Sequence, residues 1–210
     1  MRKPDLLLIG AGGHAKSCAD VIEWGGVYRI AGVIGLPSEV GQFCLAYSVI
    51  AADSEMSRLA ATYPNALISV GQIESPDLRI QLFDQALVAG FAMPAIVSPM
   101  ACVSRHAIIG EGSIVMHGAV VNAGAVIGRN CIVNTQALIE HDAVVEDHCH
   151  VSTKAALNGG VRVGAGSFIG SGALIREGLS LPCRSFIKMG TRVTWLSEGD
   201  LATPTQSDHD

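Results

Sequence analysis

Aromatic residues are scarce in this chain: two Trp, three Tyr and five Phe among 210 residues, or 5%. So few large rings favour a narrow interior filled by Val, Ile and Ala over a deep globular core. Charged residues are equally thin, at 16%, and the net charge of −5 leaves no basic face of the kind that holds nucleic acid. The six cysteines form no CxxC pair and no disulfide-framework spacing, which excludes a stapled secreted scaffold. There is no long apolar run either. The uncharged stretch from Gly112 to Gly128 is broken by His117, Asn122 and several glycines, which excludes insertion in a membrane. Met1-Arg2-Lys3-Pro4 leads straight into a strand-like segment with no cleavage-type site, so the expected compartment is the cytoplasm.

What the chain does have is a period of six. From Val97 to Ile187 an aliphatic residue occupies every sixth position, sixteen consecutive hits in one frame. Ile, Leu and Val are about a quarter of the residues, so chance would produce this with a probability of roughly 10⁻⁹. Four residues after each hit comes a smaller one, as at Ala101, Ala107, Ser113, Ala119, Ala125, Cys131, Ala137, Ala143, Cys149 and Ala155. Glycine commonly lies between them, as at Gly112, Gly118, Gly124, Gly160, Gly166 and Gly172. Each hexad reads as a short strand with one small and one aliphatic inward residue, followed by a tight corner. Such units bury their apolar faces only by stacking, which predicts a hexapeptide-repeat parallel β-helix.

The chain divides into residues 1–92, residues 93–195 carrying the repeat, and a polar tail, 196–210, expected to be disordered. In the first part Leu6-Leu7-Leu8-Ile9 is a continuous apolar strand. It enters Gly10-Ala11-Gly12-Gly13-His14, and a helical pattern then runs to Trp24. Further strands at Ile30–Ile34 and Ala66–Gly71 and a helix from about Pro76 to Ala89 predict a small parallel α/β sheet. A glycine turn between the first strand and helix offers backbone N–H groups to a phosphate. The dinucleotide fingerprint is incomplete: Lys16 replaces the third glycine, and no acidic residue follows Ile34, where Gly35-Leu36-Pro37-Ser38 stands. A hydride-transferring Rossmann enzyme is therefore disfavoured. A phosphate cradle and a turn with no ligand both remain open.

Four of the seven histidines lie in the middle of the repeat: His117, His141, His148 and His150. The hexad frame puts His141 and Asp142 on a corner, outside the coil, with small Ala123 and Gly159 one coil away on either side. A carboxylate beside an exposed imidazole is the arrangement a general base needs; a solvated corner histidine is the plain alternative. His148-Cys149-His150 is not a metal site, because strand alternation points Cys149 inward and His150 outward. Outer positions such as Met116, His117, Val120 and Val126 are too apolar to stay wet and predict an interface with another subunit.

The strand–Gly-Ala-Gly-Gly-His turn, with Asn134-Thr135 and Ile139-Glu140-His141-Asp142 in the hexads, resembles the sialic-acid O-acetyltransferase and bacillosamine N-acetyltransferase family of hexapeptide-repeat acyltransferases. The resemblance covers about Asp5 to Trp195. It implies a homotrimer of left-handed β-helices that takes acetyl-CoA as acyl donor and a nucleotide-sugar acceptor. By the same resemblance His141 is the general base and Asp142 the acid that orients it. Asn134 is an acceptor-side polar group, and His150 is a second active-site histidine beside the coenzyme. Gly159, Ser171 and Met189 fall along the coenzyme A groove, and Gly10, Gly12, Gly13 and His14 hold the nucleotide. Two positions depart from the family pattern: the acidic pair after the second strand is missing near Gly35, and Lys154 stands where glycine is common. The reaction so implied is N-acetylation of a nucleotide-linked amino sugar in surface-glycan synthesis. The alternatives are O-acetylation of a sialic-acid-like sugar and a non-catalytic β-helix.

Overall fold

The computed structural model describes residues 3–195, so the expectation of a disordered tail lies outside the described residues. The first apolar run forms β1 (Asp5–Ile9), followed by α1 (Gly13–Gly25) and β2 (Arg29–Gly35). Then come β3 (Phe43–Cys44), β4 (Tyr47–Ala52), α2 (Met56–Ala60), β5 (Asn65–Ile68) and α3 (Asp77–Ala89). The sheet order is β3-β4-β2-β1-β5, parallel apart from the β3–β4 hairpin. Leu6, Leu7, Leu8 and Ile9 are all fully buried, which is why β1 reads as an unbroken apolar run: both of its faces are covered. The hairpin and α2 have no clean periodicity and were not expected from the sequence.

From β6 (Ile96–Val97) to β22 (Arg192–Val193) the chain winds through two-residue strands in three parallel sheets of six, five and six strands. Each strand pairs with the one three along, eighteen residues later in sequence, as Val121 does with Ile139 and Ile139 with Leu157. The second residue of each strand points inward: Val115, Val121, Ile127, Val133, Ile139, Val145 and Val151 are at most 1% exposed and form one cluster with the small column. Cys131 and Cys149 belong to that column as free, buried thiols that donate to the Glu146 and Gly164 carbonyls of the following coil at 3.1 and 3.2 Å.

The three faces have different fates. Outward residues of the first face (the six-stranded sheet running from β6 to the strand Phe186–Ile187) meet the α/β domain. Ile96, Ile114 and Ile132 share a buried cluster with Leu6, Val21 and Leu67. Met116 and His117 are also covered from within the chain, which corrects their assignment to a contact with another subunit. Met116 is 1% exposed in that same cluster, and His117 bonds to Asp20 of α1 at 2.9 Å and to Ser98 at 2.6 Å. The second face (from the strand Cys102–Val103 to β22) carries Val120, Leu138, Ala156 and Leu174 outward, and the third (from Ile108–Ile109 to Ser180–Leu181) Ile108, Val126 and Val144; the α/β domain leaves both open.

From Gly112 to Gly190 each corner contains one residue in the left-handed region. Glycine fills most of these positions, but Asn130, Gln136, Asp142, His148, Lys154 and Arg184 take φ between 52° and 60°. Lys154 departs from the glycine pattern at one of them, at φ 58°.

Candidate active site

His141 stands on the corner between the second and third faces, at the turn from β13 (Leu138–Ile139) to β14 (Val144–Val145). Its side chain is 67% exposed, and its Nδ1 bonds to Asp142 Oδ2 at 2.9 Å. A carboxylate can only accept, so Nδ1 carries the proton and the lone pair lies on Nε2. The hydrogen bond to Asp142 holds the imidazole pKa above its ordinary 6.5. The pair is framed by glycines of the adjacent coils. A β-carbon at Gly159 would lie 2.6 Å from His141 Nε2, and one at Gly124 would collide with the Asp142 carboxylate. Glycine at 159 thus leaves Nε2 free over bare backbone.

His150 sits elsewhere. It is the outward residue of β15 (His150–Val151) on the first face, but the α/β domain covers it to 6% exposure. Thr135 N–H donates to Asn134 Oδ1 at 2.7 Å, which turns the Asn134 amide NH₂ toward His150 Nε2 at 3.1 Å. Nε2 is therefore an acceptor, and the protonated Nδ1 donates to the Gln72 carbonyl at 2.5 Å. Both nitrogens are occupied, and burial lowers the pKa to about 4. In the isolated chain His150 is a neutral histidine with both ring nitrogens hydrogen-bonded.

The glycine turn lies over this same face. Gly10 has φ 111° and presses on Val70; Gly12 is the N-cap of α1 with φ −73°. A β-carbon at Gly12 or Gly13 would meet nothing within 4 Å, so neither packing nor backbone strain demands glycine at these two positions. In the first turn of α1 the Ala15 N–H bonds back to the Gly12 carbonyl at 3.1 Å, while those of Gly13 and His14 precede the first intrahelical bond. His14 points the other way, its ring centroid 6.5 Å from that of His150. Its Nε2 is buried without a partner, and burial, then the charge of Arg79, lower its pKa to about 3.

Two carboxylates do approach the end of β2. The Glu39 carboxylate accepts from Leu36 N–H at 2.8 Å and lies 2.6 Å from where a Gly35 β-carbon would be. Asp53, just after β4, has its pKa raised by burial and then by the negative charge of Glu39. Two carboxylates from separate turns thus stand at the carboxyl ends of β2 and β4: Glu39 lies just past the Gly35–Ser38 segment, and Asp53 is brought to it by the pairing of β2 with β4.

The structure therefore gathers Gly10, Gly12, Gly13, His14, Asn134 and His150 at the first face. It puts Ser171 and the 78% exposed Met189 at the corner between the first and second faces, with Ser171 Oγ 3.0 Å from Ser152 Oγ. It leaves His141, Asp142 and Gly159 at the far end of the second face, roughly 20 Å of near-extended chain from Asn134. Sequence reasoning missed Gln72 and Arg79. Arg79 had a signal: it falls with Leu82, Phe83 and Ala86 at helical spacing on the buried stripe of α3.

A hexad coil joined to an α/β domain through a glycine turn, with a histidine–carboxylate pair on a coil corner, defines a hexapeptide-repeat acyltransferase. Residues 5–86 match the PglD N-terminal domain model, and residues 106–141 match the bacterial transferase hexapeptide (six repeats) model. The acetyltransferase domain of PglB from Neisseria gonorrhoeae FA1090, in complex with acetyl coenzyme A, is 31% identical. That match covers 91% of this chain and 93% of that one, with a TM-score of 0.82. A histidine-to-asparagine mutant of perosamine N-acetyltransferase from Caulobacter crescentus, in complex with CoA and GDP-perosamine, is 28% identical. It has a TM-score of 0.85 over 90% of this chain and 88% of that one. No curated protein matches by sequence. The chain belongs to the sialic-acid O-acetyltransferase and bacillosamine N-acetyltransferase family of hexapeptide-repeat sugar acetyltransferases.

Proposed function

We propose that this protein transfers the acetyl group of acetyl-CoA to the amino group of a nucleotide-linked amino sugar destined for a bacterial surface glycan. The observation that carries the reading is the His141–Asp142 pair, with Nε2 unprotonated, exposed and facing bare backbone at Gly159. The acceptor nitrogen attacks the thioester carbonyl and passes a proton to His141 Nε2. Collapse of the tetrahedral adduct breaks the C–S bond, and the imidazolium returns that proton to the departing thiolate. Asp142 fixes the tautomer throughout. No covalent enzyme intermediate is needed, since among the described residues no Ser or Cys hydrogen-bonds to the base. The relatives bound to CoA, acetyl coenzyme A and GDP-perosamine support this donor and a nucleotide-sugar acceptor. Both substrates belong to the cytoplasm, and among the described residues no helix is long and apolar enough to cross a membrane.

The acceptor is held by the Gly10–His14 turn, its diphosphate on the N–H groups at the start of α1 and its nucleoside toward Glu39 and Asp53. Within one chain that cradle lies over the first face, whereas His141 lies at the opposite corner. An acceptor in the cradle therefore reacts at the His141 of another copy. If the apolar second face (Val120, Leu138, Ala156, Leu174) lies on a threefold axis, the His141 corner of each chain abuts its neighbour's Asn134–Ser171–Met189 corner. This arrangement supports a homotrimer, with Gly159 of one chain and Ser171 and Met189 of the next lining the coenzyme groove beside His150. The deciding experiment incubates the protein with acetyl-CoA and a panel of nucleotide amino sugars, reading free thiol and the 42-Da mass gain, about one acetyl unit. Thiol release only with hydroxyl acceptors would replace N- by O-acetylation; none with any acceptor would remove the enzymatic reading.

A further inference from the structure

Arg79 is the largest fully buried side chain of the described residues, at 1% exposure, and among them no carboxylate forms an ion pair with it. Its Nη1 donates to the carbonyls of Ile68 at 2.7 Å and Val70 at 2.8 Å, and its Nε to the Asn130 carbonyl at 3.2 Å. Nη2 has no partner. Carbonyl dipoles solvate a guanidinium but do not cancel its charge. An uncompensated buried cation is among the costliest things a fold can contain, so its retention needs a reason.

The surroundings supply one. Ile68 and Val70 bracket Ser69, whose Oγ donates to the Gly10 carbonyl at 2.7 Å, and the Val70 side chain packs on Gly10 itself. Arg79 therefore lies directly behind the glycine turn, bonded to the segment that shapes it. Its charge also reaches the first turn of α1, where it helps keep His14 neutral. Over Gly12 and Gly13 the turn is open, since a β-carbon at either position would meet nothing within 4 Å.

We infer that Arg79 is the built-in counter-charge of the acceptor's diphosphate, acting from beneath the glycine turn without touching the phosphates. The anion completes the neutralisation that the fold leaves undone, and the backbone N–H groups and Arg79 act on it from opposite ends of the same turn. Arg79 is thus a positioning and electrostatic residue, not a catalytic one. This inference rests on the proposed cradle reading of Gly10–His14.

The test uses the full chain and inorganic pyrophosphate as probe, with binding measured by calorimetry. Arg79→Gln should weaken pyrophosphate on the order of tenfold or more, the scale of one unit charge several ångströms away at intermediate dielectric. Coenzyme A affinity should stay the same, and Arg79→Lys should recover most of the loss. Because Arg79→Gln could fail to fold, a second readout uses the wild-type protein: among arginine Nε–H resonances, that of Arg79 should move most as pyrophosphate is added. Unchanged pyrophosphate affinity in folded Arg79→Gln, equal losses for pyrophosphate and coenzyme A, or an unmoved Arg79 resonance overturns the inference alone. Pyrophosphate that fails to bind wild-type protein at all overturns the cradle reading along with it.

Discussion

The Nε2 atom of His141 lies 2.6 Å from the point where residue 159 would carry a β-carbon. The base of one coil and the glycine of the next are in this sense a single unit, and either can be disturbed through the other.

His141→Ala should lower kcat by roughly 10²- to 10⁴-fold, the usual worth of a general base, with coenzyme A affinity near normal. The side chain is an exposed corner group, so the melting temperature should hardly move. Near-wild-type turnover would remove His141 from the mechanism.

Gly159→Ala should reproduce much of that loss from a residue with no chemistry of its own. The new methyl group must push the imidazole aside, which is easy for the fold because the obstacle is the end of a mobile side chain. Single-turnover rates should fall at least tenfold, the scale set by misplacing a catalytic group by about 1 Å. A fully active Gly159→Ala enzyme would mean that Nε2 works from another rotamer.

Asp142 acts through the pH profile. Its hydrogen bond raises the His141 pKa above 6.5, and the base must be unprotonated, so the acid limb of kcat/KM should lie above pH 6.5. Asp142→Asn removes the carboxylate, and the limb should move to lower pH while the maximal rate drops less than in His141→Ala. An unmoved limb would assign it to another group.

Cradle and base can be separated by complementation. Gly12→Asp puts a carboxylate into the open space before α1 without a left-handed backbone to strain, so the protein should fold and lose acceptor affinity selectively. Co-expressed with His141→Ala, it should regain activity that neither variant has alone. Mixed trimers then contain sites pairing an intact cradle with an intact neighbouring base. Restoration absent in verified mixed trimers would place both functions within one chain, and light scattering giving a monomer would end the trimer proposal itself.

Acid should weaken the fold at the junction of its two parts. Below pH 6.5 the unfolded chain protonates both histidines, whereas the folded chain keeps His150 neutral down to about 4 and His14 to about 3. Stability is therefore lost as pH falls through that window, at about 1.4 kcal/mol per pH unit for each histidine. Denaturant midpoints for His150→Gln should show a shallower acid slope; an identical slope would mean that the junction opens before it titrates.

Periodicity made the coil legible because every hexad obeys the same packing rule, and even the corner position of His141 followed from the count. Gly12 and Gly13 were legible as a turn, but the empty space above them, on which the proposed cradle rests, was not. Pairings made in space were not legible. Glu39 lies only five residues beyond Ile34, but nothing in the sequence pairs it with Asp53; the two converge only when β2 and β4 lie side by side. Met116 and His117 looked like a subunit contact because a sequence does not say which apolar faces its own α1 will cover.

The corner residues in left-handed conformation have a consequence for how this protein can change. Asp142, His148, Lys154 and Arg184 show that the coil tolerates side chains there at a modest conformational cost, about 1–2 kcal/mol where glycine would be free. Asp142, Lys154 and Arg184 project into solvent at fixed heights along the coil, whereas His148 packs edge-on against Phe83 of α3. New charges or acids can be tried on this ladder of pegs one at a time, so donor and acceptor preference can drift while the aliphatic interior keeps the same register.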